Sequence, residues 1–141
     1  MRRRFMNSKK SLFDTNNYLT IEALENGLVV LFERSSVHID GDIQYSVDGG
    51  NWASFSANTT LPPINRGQLI SFRSELTPSR FGIGIFRVSK KFNLKGDCKS
   101  LLYGDEAANN HSLSQYAFFQ LFYNCNSLVS CDRTVLSATT L

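Results

Sequence analysis

The chain has 141 residues, 42% of them hydrophobic and 19% charged, with a formal net charge of +3. That size and balance fit one globular domain with a proper core. They exclude a membrane-spanning helix, because the longest apolar block, residues 28–32, is only a strand's length.

The charge is unevenly placed. The first 18 residues set Arg2, Arg3, Arg4, Lys9 and Lys10 against Asp14, a net +4, which leaves the other 123 at −1. Residues 1–17 therefore read as a basic arm in front of a near-neutral body. Such an arm docks on an acidic protein groove, a nucleic acid or a membrane surface, or serves only as a solubilising leader. Nucleic-acid contacts through phosphate alone would be salt-dependent and blind to sequence, so sequence-specific binding is not expected. Met1-Arg-Arg-Arg4 resembles the start of a signal peptide, but the polar Asn7-Ser-Lys-Lys-Ser11 follows in place of an apolar run. Passage through the ordinary secretory pathway is not expected.

Residues 19–23 predict a first strand with Leu19 and Ile21 on one face. Glu25-Asn26-Gly27 predicts a turn, and residues 28–33 a second strand buried on both faces at its centre. His38 sits in a loop over residues 35–41, with no partner nearby in sequence, and reads as a surface or half-buried side chain. Ile43, Tyr45 and Val47 then alternate before Asp48-Gly49-Gly50, and Trp52-Ala-Ser-Phe55 follows. That pattern predicts a hairpin whose glycines take positive φ.

Two prolines make residues 61–67 an extended connection ending in a turn. Residues 68–76 form the next strand, with Leu69, Ser71 and Arg73 alternating against Ile70, Phe72 and Ser74. Ile83, Ile85 and Val88 predict another, and Phe92 and Leu94 alternate after the Lys90-Lys91 pair. Gly82-x-Gly84 is no dinucleotide fingerprint, since the third glycine position is Arg87 and no helix follows. Six or seven short strands at this spacing predict a mainly β fold, a small antiparallel β-sandwich or barrel-like domain over residues 18–104.

The remainder, residues 105–141, reads differently. Leu113, Ala117, Phe118, Leu121 and Phe122 form a helical stripe capped by Ser112 or Ser114. Three cysteines, an odd number, agree with folding in a reducing compartment, and read as buried thiols. Cys125 and Cys131 would pair only if loop geometry allowed it. Neither a zinc spacing nor a Cys-x-x-Cys is present, and no metal or cofactor is expected. His38, His111, Asp40, Asp42, Asp105 and Glu106 are the residue types of acid–base chemistry. Their spacing matches no known catalytic arrangement, so the chain is not expected to be an enzyme.

The phrase Leu121-Phe-Tyr-Asn-Cys-Asn-Ser-Leu128, followed by Leu136-Ser-Ala-Thr-Thr-Leu141, resembles one unit of the BspA-like leucine-rich repeats. Those read Met-Phe-x-x-Cys-x-Ser-Leu and then Leu-Pro-Ala-Thr-Thr-Leu; Ser137 stands here in place of the usual proline. The body also resembles the β-domain that precedes such repeats in surface and tail-fibre-like proteins of gut bacteria and their phages. Its matching phrases are Tyr18-Leu-Thr-Ile-Glu-Ala-Leu24, Ile43-Gln-Tyr-Ser-Val-Asp-Gly-Gly50, Gly82-Ile-Gly-Ile-Phe86, Phe92-Asn-Leu-Lys-Gly96 and Ser100-Leu-Leu-Tyr-Gly-Asp105. A single leucine-rich unit cannot bury its own face. Residues 105–141 are therefore expected to cap the β-domain, to offer an edge to a partner, or to continue into a longer chain.

The resemblance implies a non-enzymatic structural or adhesion module. The expected setting is a bacteriophage virion, in a head- or tail-fibre-type assembly. Arg2, Arg3, Arg4, Lys9 and Lys10 would anchor it to other virion proteins, in an oligomeric or larger complex without membrane insertion. A host-surface receptor is a further expected partner. The alternative is a bacterial surface adhesin or a carbohydrate-binding module, located at the cell surface.

Overall fold

The computed structural model of the chain describes residues 15–34, 43–76, 83–109, 121–123 and 125–131. Among them the strands are β1 (Leu19–Ala23), β2 (Val30–Glu33), β3 (Ile43–Val47), β4 (Ala53–Phe55), β5 (Leu69–Arg73), β6 (Ile85–Val88), β7 (Phe92–Lys95) and β8 (Leu128–Cys131). One helical turn, α1 (Ser100–Tyr103), runs into a 3-10 segment, Gly104–Asn109, and another 3-10 turn, Thr15–Asn17, precedes β1. The fold is mainly β, as the alternating pattern predicts. A six-stranded sheet runs β4-β3-β5-β1-β7-β8, and β2 and β6 form a second, two-stranded sheet.

Register decides which side chains share a face. β1 lies antiparallel to β5, with Leu19 opposite Phe72 and Ile21 opposite Ile70. On its other side Ile21 faces Leu94 and Ala23 faces Phe92 of β7. Because side chains alternate along a strand, these residues all fall on one side of the large sheet. The small sheet closes over that side. Phe86 of β6 lies 4.5 Å from Phe32 of β2 and 5.0 Å from Phe72 of the large sheet, centroid to centroid. Phe122 stacks on Phe86 at 5.2 Å and reaches Phe92 at 6.2 Å. Phe32, Phe72, Phe86 and Phe92 are fully buried, each contributing about 1.5–3 kcal/mol of hydrophobic stabilisation.

Three features depart from the expected pattern. β2 is not buried on both faces: Val30 and Phe32 are buried, whereas Leu31 and Glu33 are only half-buried. It pairs in a two-stranded sheet, so one of its faces meets the core and the other the periphery. The sandwich is not wholly antiparallel, because β8 runs parallel to β7, with Phe92 opposite Leu128 and Leu94 opposite Cys131. Parallel neighbours need a connection of a dozen residues or more, and the chain between these two strands is long enough to supply it. Finally, Asp48 (φ 52°) and Gly49 (φ 75°) are the left-handed residues of the hairpin turn, and Gly50 is not. Gly50 instead donates its N–H to the Val47 carbonyl at 3.0 Å, which closes a type I′ turn.

Residues 15–17, placed with the arm, form the 3-10 turn before β1, where Tyr18 N–H donates to the Thr15 carbonyl at 3.2 Å. Strand β8, placed with the repeat-like cap, belongs to the large sheet. Leu113, Ala117 and Phe118 of the expected helical stripe lie outside the described residues, while Leu121 and Phe122 are buried in the core. The described cysteines are free thiols: Cys98 is buried, and Cys125 and Cys131 are half-buried. Burial pushes the Cys98 thiol well above its ordinary value and raises that of Cys125. No helix among the described residues is long and apolar enough to cross a membrane.

Candidate ligand-binding cleft

The same register that buries Ile70 and Phe72 turns Ser71 and Arg73 to the opposite side of the large sheet. There Ser54 of β4 pairs with Gln44 of β3, and Gln44 pairs with Arg73 of β5. These three polar side chains form a row across three adjacent strands. Arg73 donates from Nε to the Gln44 side-chain oxygen at 2.7 Å.

The end of this row is closed by residues far along the chain. Ser100 Oγ accepts from Leu19 N–H at 3.0 Å and donates to the Phe72 carbonyl at 2.7 Å. Past β5, Ser74 N–H donates to the Ser100 carbonyl and Leu76 N–H to the Leu101 carbonyl, both at 2.9 Å. Ser74 Oγ adds a bond to the Leu101 carbonyl at 2.7 Å. Helical turn α1 is thereby fixed to the ends of two strands, and the chain reversal at Gly104 delivers Asp105 beside Arg73.

Asp105 joins the cluster at two points. Arg73 Nη1 lies 2.9 Å from Oδ1 and 3.2 Å from Oδ2. The Tyr18 hydroxyl donates to Oδ1 at 2.8 Å. Trp52, at the exit of the hairpin, carries the Arg73 guanidinium 4.2 Å above its ring and meets Tyr18 edge-on at 5.0 Å. Stacking on an aromatic face and forked hydrogen bonding are the arrangements that hold a guanidinium in one orientation. Tyr18 is only 7% exposed. Burial foremost, then the hydrogen bond and negative charge of Asp105, push its phenol up to about 12, against a smaller opposing effect of Arg73.

Next to this cluster is an open cleft of about 510 Å³, lined by Gln44, Ser54, Arg73, Glu75, Gly104 and Asp105. Its size is that of ordinary small-ligand sites, about 300–1,000 Å³. Glu75 is exposed at the end of β5. Among the described residues, no group of three or more His, Cys, Asp or Glu side chains is placed to hold a metal ion.

Of the candidate site residues that lie among the described ones, Asp105 lines this cleft and Glu106 beside it is exposed. The anchoring residues Arg2, Arg3, Arg4, Lys9 and Lys10 lie outside the described residues, as do His38, Asp40, Asp42 and His111. Tyr18, Gln44, Trp52 and Arg73 were not anticipated as a group. The signal was present only as alternation in β3 and β5, and it takes the cross-strand pairing to turn that alternation into a row.

Compared with protein-family models, curated proteins and solved structures, the chain matches none.

Proposed function

We propose that this chain is a non-enzymatic structural and adhesion module. Its setting is a bacteriophage virion, in a head- or tail-fibre-type assembly, with Arg2, Arg3, Arg4, Lys9 and Lys10 docking it onto an acidic surface of its neighbours. The observation that carries the adhesion reading is the internally paired cluster at the cleft. Arg73, Asp105, Tyr18 and Gln44 are tied to one another by hydrogen bonds of 2.7 to 3.2 Å. With its value pushed up to about 12, the Tyr18 phenol keeps its proton throughout the physiological range. A cluster whose members are tied to one another holds its shape, which suits binding. The virion placement rests on the repeat-like phrase ending at Leu128, on the order of the β phrases, and on cationic excess gathered in the arm.

A bacterial surface adhesin or carbohydrate-binding module is the second reading, favoured by the same polar cleft. Peptide mass spectrometry on purified virions and on cell-envelope fractions separates the two. Peptides of this chain enriched at constant stoichiometry in virions support the proposal. Peptides confined to the envelope fraction favour the adhesin, and peptides in neither contradict both.

A further inference from the structure

We infer that the cleft on the outer side of the large sheet binds a neutral, hydroxyl-rich ligand, one or more units of an uncharged glycan. This rests on the adhesion reading and names the class of ligand for that same site.

The first argument is the alternation of donors and acceptors. A sugar hydroxyl donates one hydrogen bond and accepts others, so its site must offer both kinds close together. Gln44 gives its side-chain oxygen to Arg73 Nε, which fixes the amide and leaves its NH2 group as a donor. Ser54, in the same row, both donates and accepts. Glu75 and Asp105 add carboxylate acceptors to the lining of the cleft.

The second argument is charge. Among the described residues, the cleft has two carboxylates to one guanidinium. That guanidinium is already engaged by Asp105 and held over Trp52. Among the described residues of the cleft, a sialylated, sulfated or phosphorylated ligand would meet the surplus negative charge of Glu75 with no further cation to answer it. A neutral polyol incurs no such repulsion.

The third is preorganisation. Arg73 and Gln44 lie on paired strands and Asp105 on a segment hydrogen-bonded to them, so little ordering is left for the ligand to impose. The cleft is also open, as a site for one unit within a longer chain must be.

The test uses the full chain on a printed array of neutral, sialylated and sulfated glycans. Glu75→Gln, which removes one acceptor charge at an exposed position, and Ser54→Tyr, which fills the cleft from an exposed strand position, are run beside it. Thermal melting of each variant accompanies the array. Binding to neutral glycans is expected, weakened at least about tenfold in each variant, by loss of a charged acceptor in Glu75→Gln and by occlusion in Ser54→Tyr. Melting temperatures should hold. Binding to no glycan, binding restricted to acidic glycans, or neutral binding indifferent to both substitutions overturns the inference. Incorporation of the unsubstituted chain into virions is measured in parallel. Normal incorporation of an unsubstituted chain that binds no glycan refutes the ligand class alone, whereas glycan binding by an unsubstituted chain absent from virions refutes the virion placement alone.

Discussion

Arg73 Nη1 lies 2.9 Å from Asp105 Oδ1 across 32 residues of sequence, and Tyr18 donates to the same carboxylate oxygen from 87 residues away. This triangle joins the start of β1, the end of β5 and the segment after α1. The Arg73 and Asp105 side chains are 24% and 58% exposed, so their ion pair alone contributes at most about 1 kcal/mol. Its value lies in geometry, because it holds one side of the cleft in place.

The phenol of Tyr18 should report on this arrangement. Its folded value is raised from 10.0 to about 12, so the stabilisation it supplies is fully present below pH 10 and is lost as pH rises towards 12. Tyrosinate absorbance followed through an alkaline titration should show a late ionisation that is absent in Tyr18→Phe. Asp105→Asn should move that ionisation back towards 10, because both of the carboxylate's effects on Tyr18 raise its value. A late tyrosine unchanged in Asp105→Asn would break the proposed triangle.

Much of the body was legible in the chain. Phe92 and Leu94 alternate with polar residues and are both buried in β7, and Ile43 begins β3 as its alternation predicts. The turn at Asp48 was legible because few residue pairs accept left-handed backbone. Local sequence does not say which strands become neighbours, and so it hid the row Ser54, Gln44, Arg73. It also hid the outward stack of Arg73 on Trp52, since an isolated tryptophan after a hairpin reads equally as core. The parallel entry of β8 was hidden for the same reason, because the direction of a strand is a property of its partner.

The hairpin separates two glycines that look alike in sequence. Gly49 is left-handed, whereas Gly50 is not, although a Cβ there would sit 3.2 Å from the Val47 carbonyl oxygen. Gly49→Val should cost about 1–2 kcal/mol through backbone strain, and Gly50→Ala clearly less. Asp48 accepts from Leu69 N–H at 2.8 Å, so Asp48→Ala should also destabilise, by about 1 kcal/mol. Chemical denaturation of the three variants checks the order. Equal midpoints for Gly49→Val and the unsubstituted chain would refute the turn assignment.

Phe122 tests the join between the C-terminal segment and the body. It is 7% exposed and stacks on Phe86 at an interplanar angle of 14°. Phe122→Ala should open a cavity and cost about 3–5 kcal/mol. Val129, 57% exposed on β8, should tolerate Val129→Thr with little change. If Phe122→Ala kept its melting temperature but lost attachment, this aromatic would be a contact for a receptor and not part of the core.

The most direct measurement of the central claim is virion incorporation of a chain whose Arg2, Arg3, Arg4, Lys9 and Lys10 are all replaced by glutamine. The account predicts a body that melts as before, because it assigns these five side chains to docking and the stability to the buried core described from Tyr18 to Phe122. It predicts at the same time that the chain's copy number in purified particles falls at least about tenfold, as expected when several cationic contacts are lost. Particles that carry the neutralised chain at full copy number would contradict it.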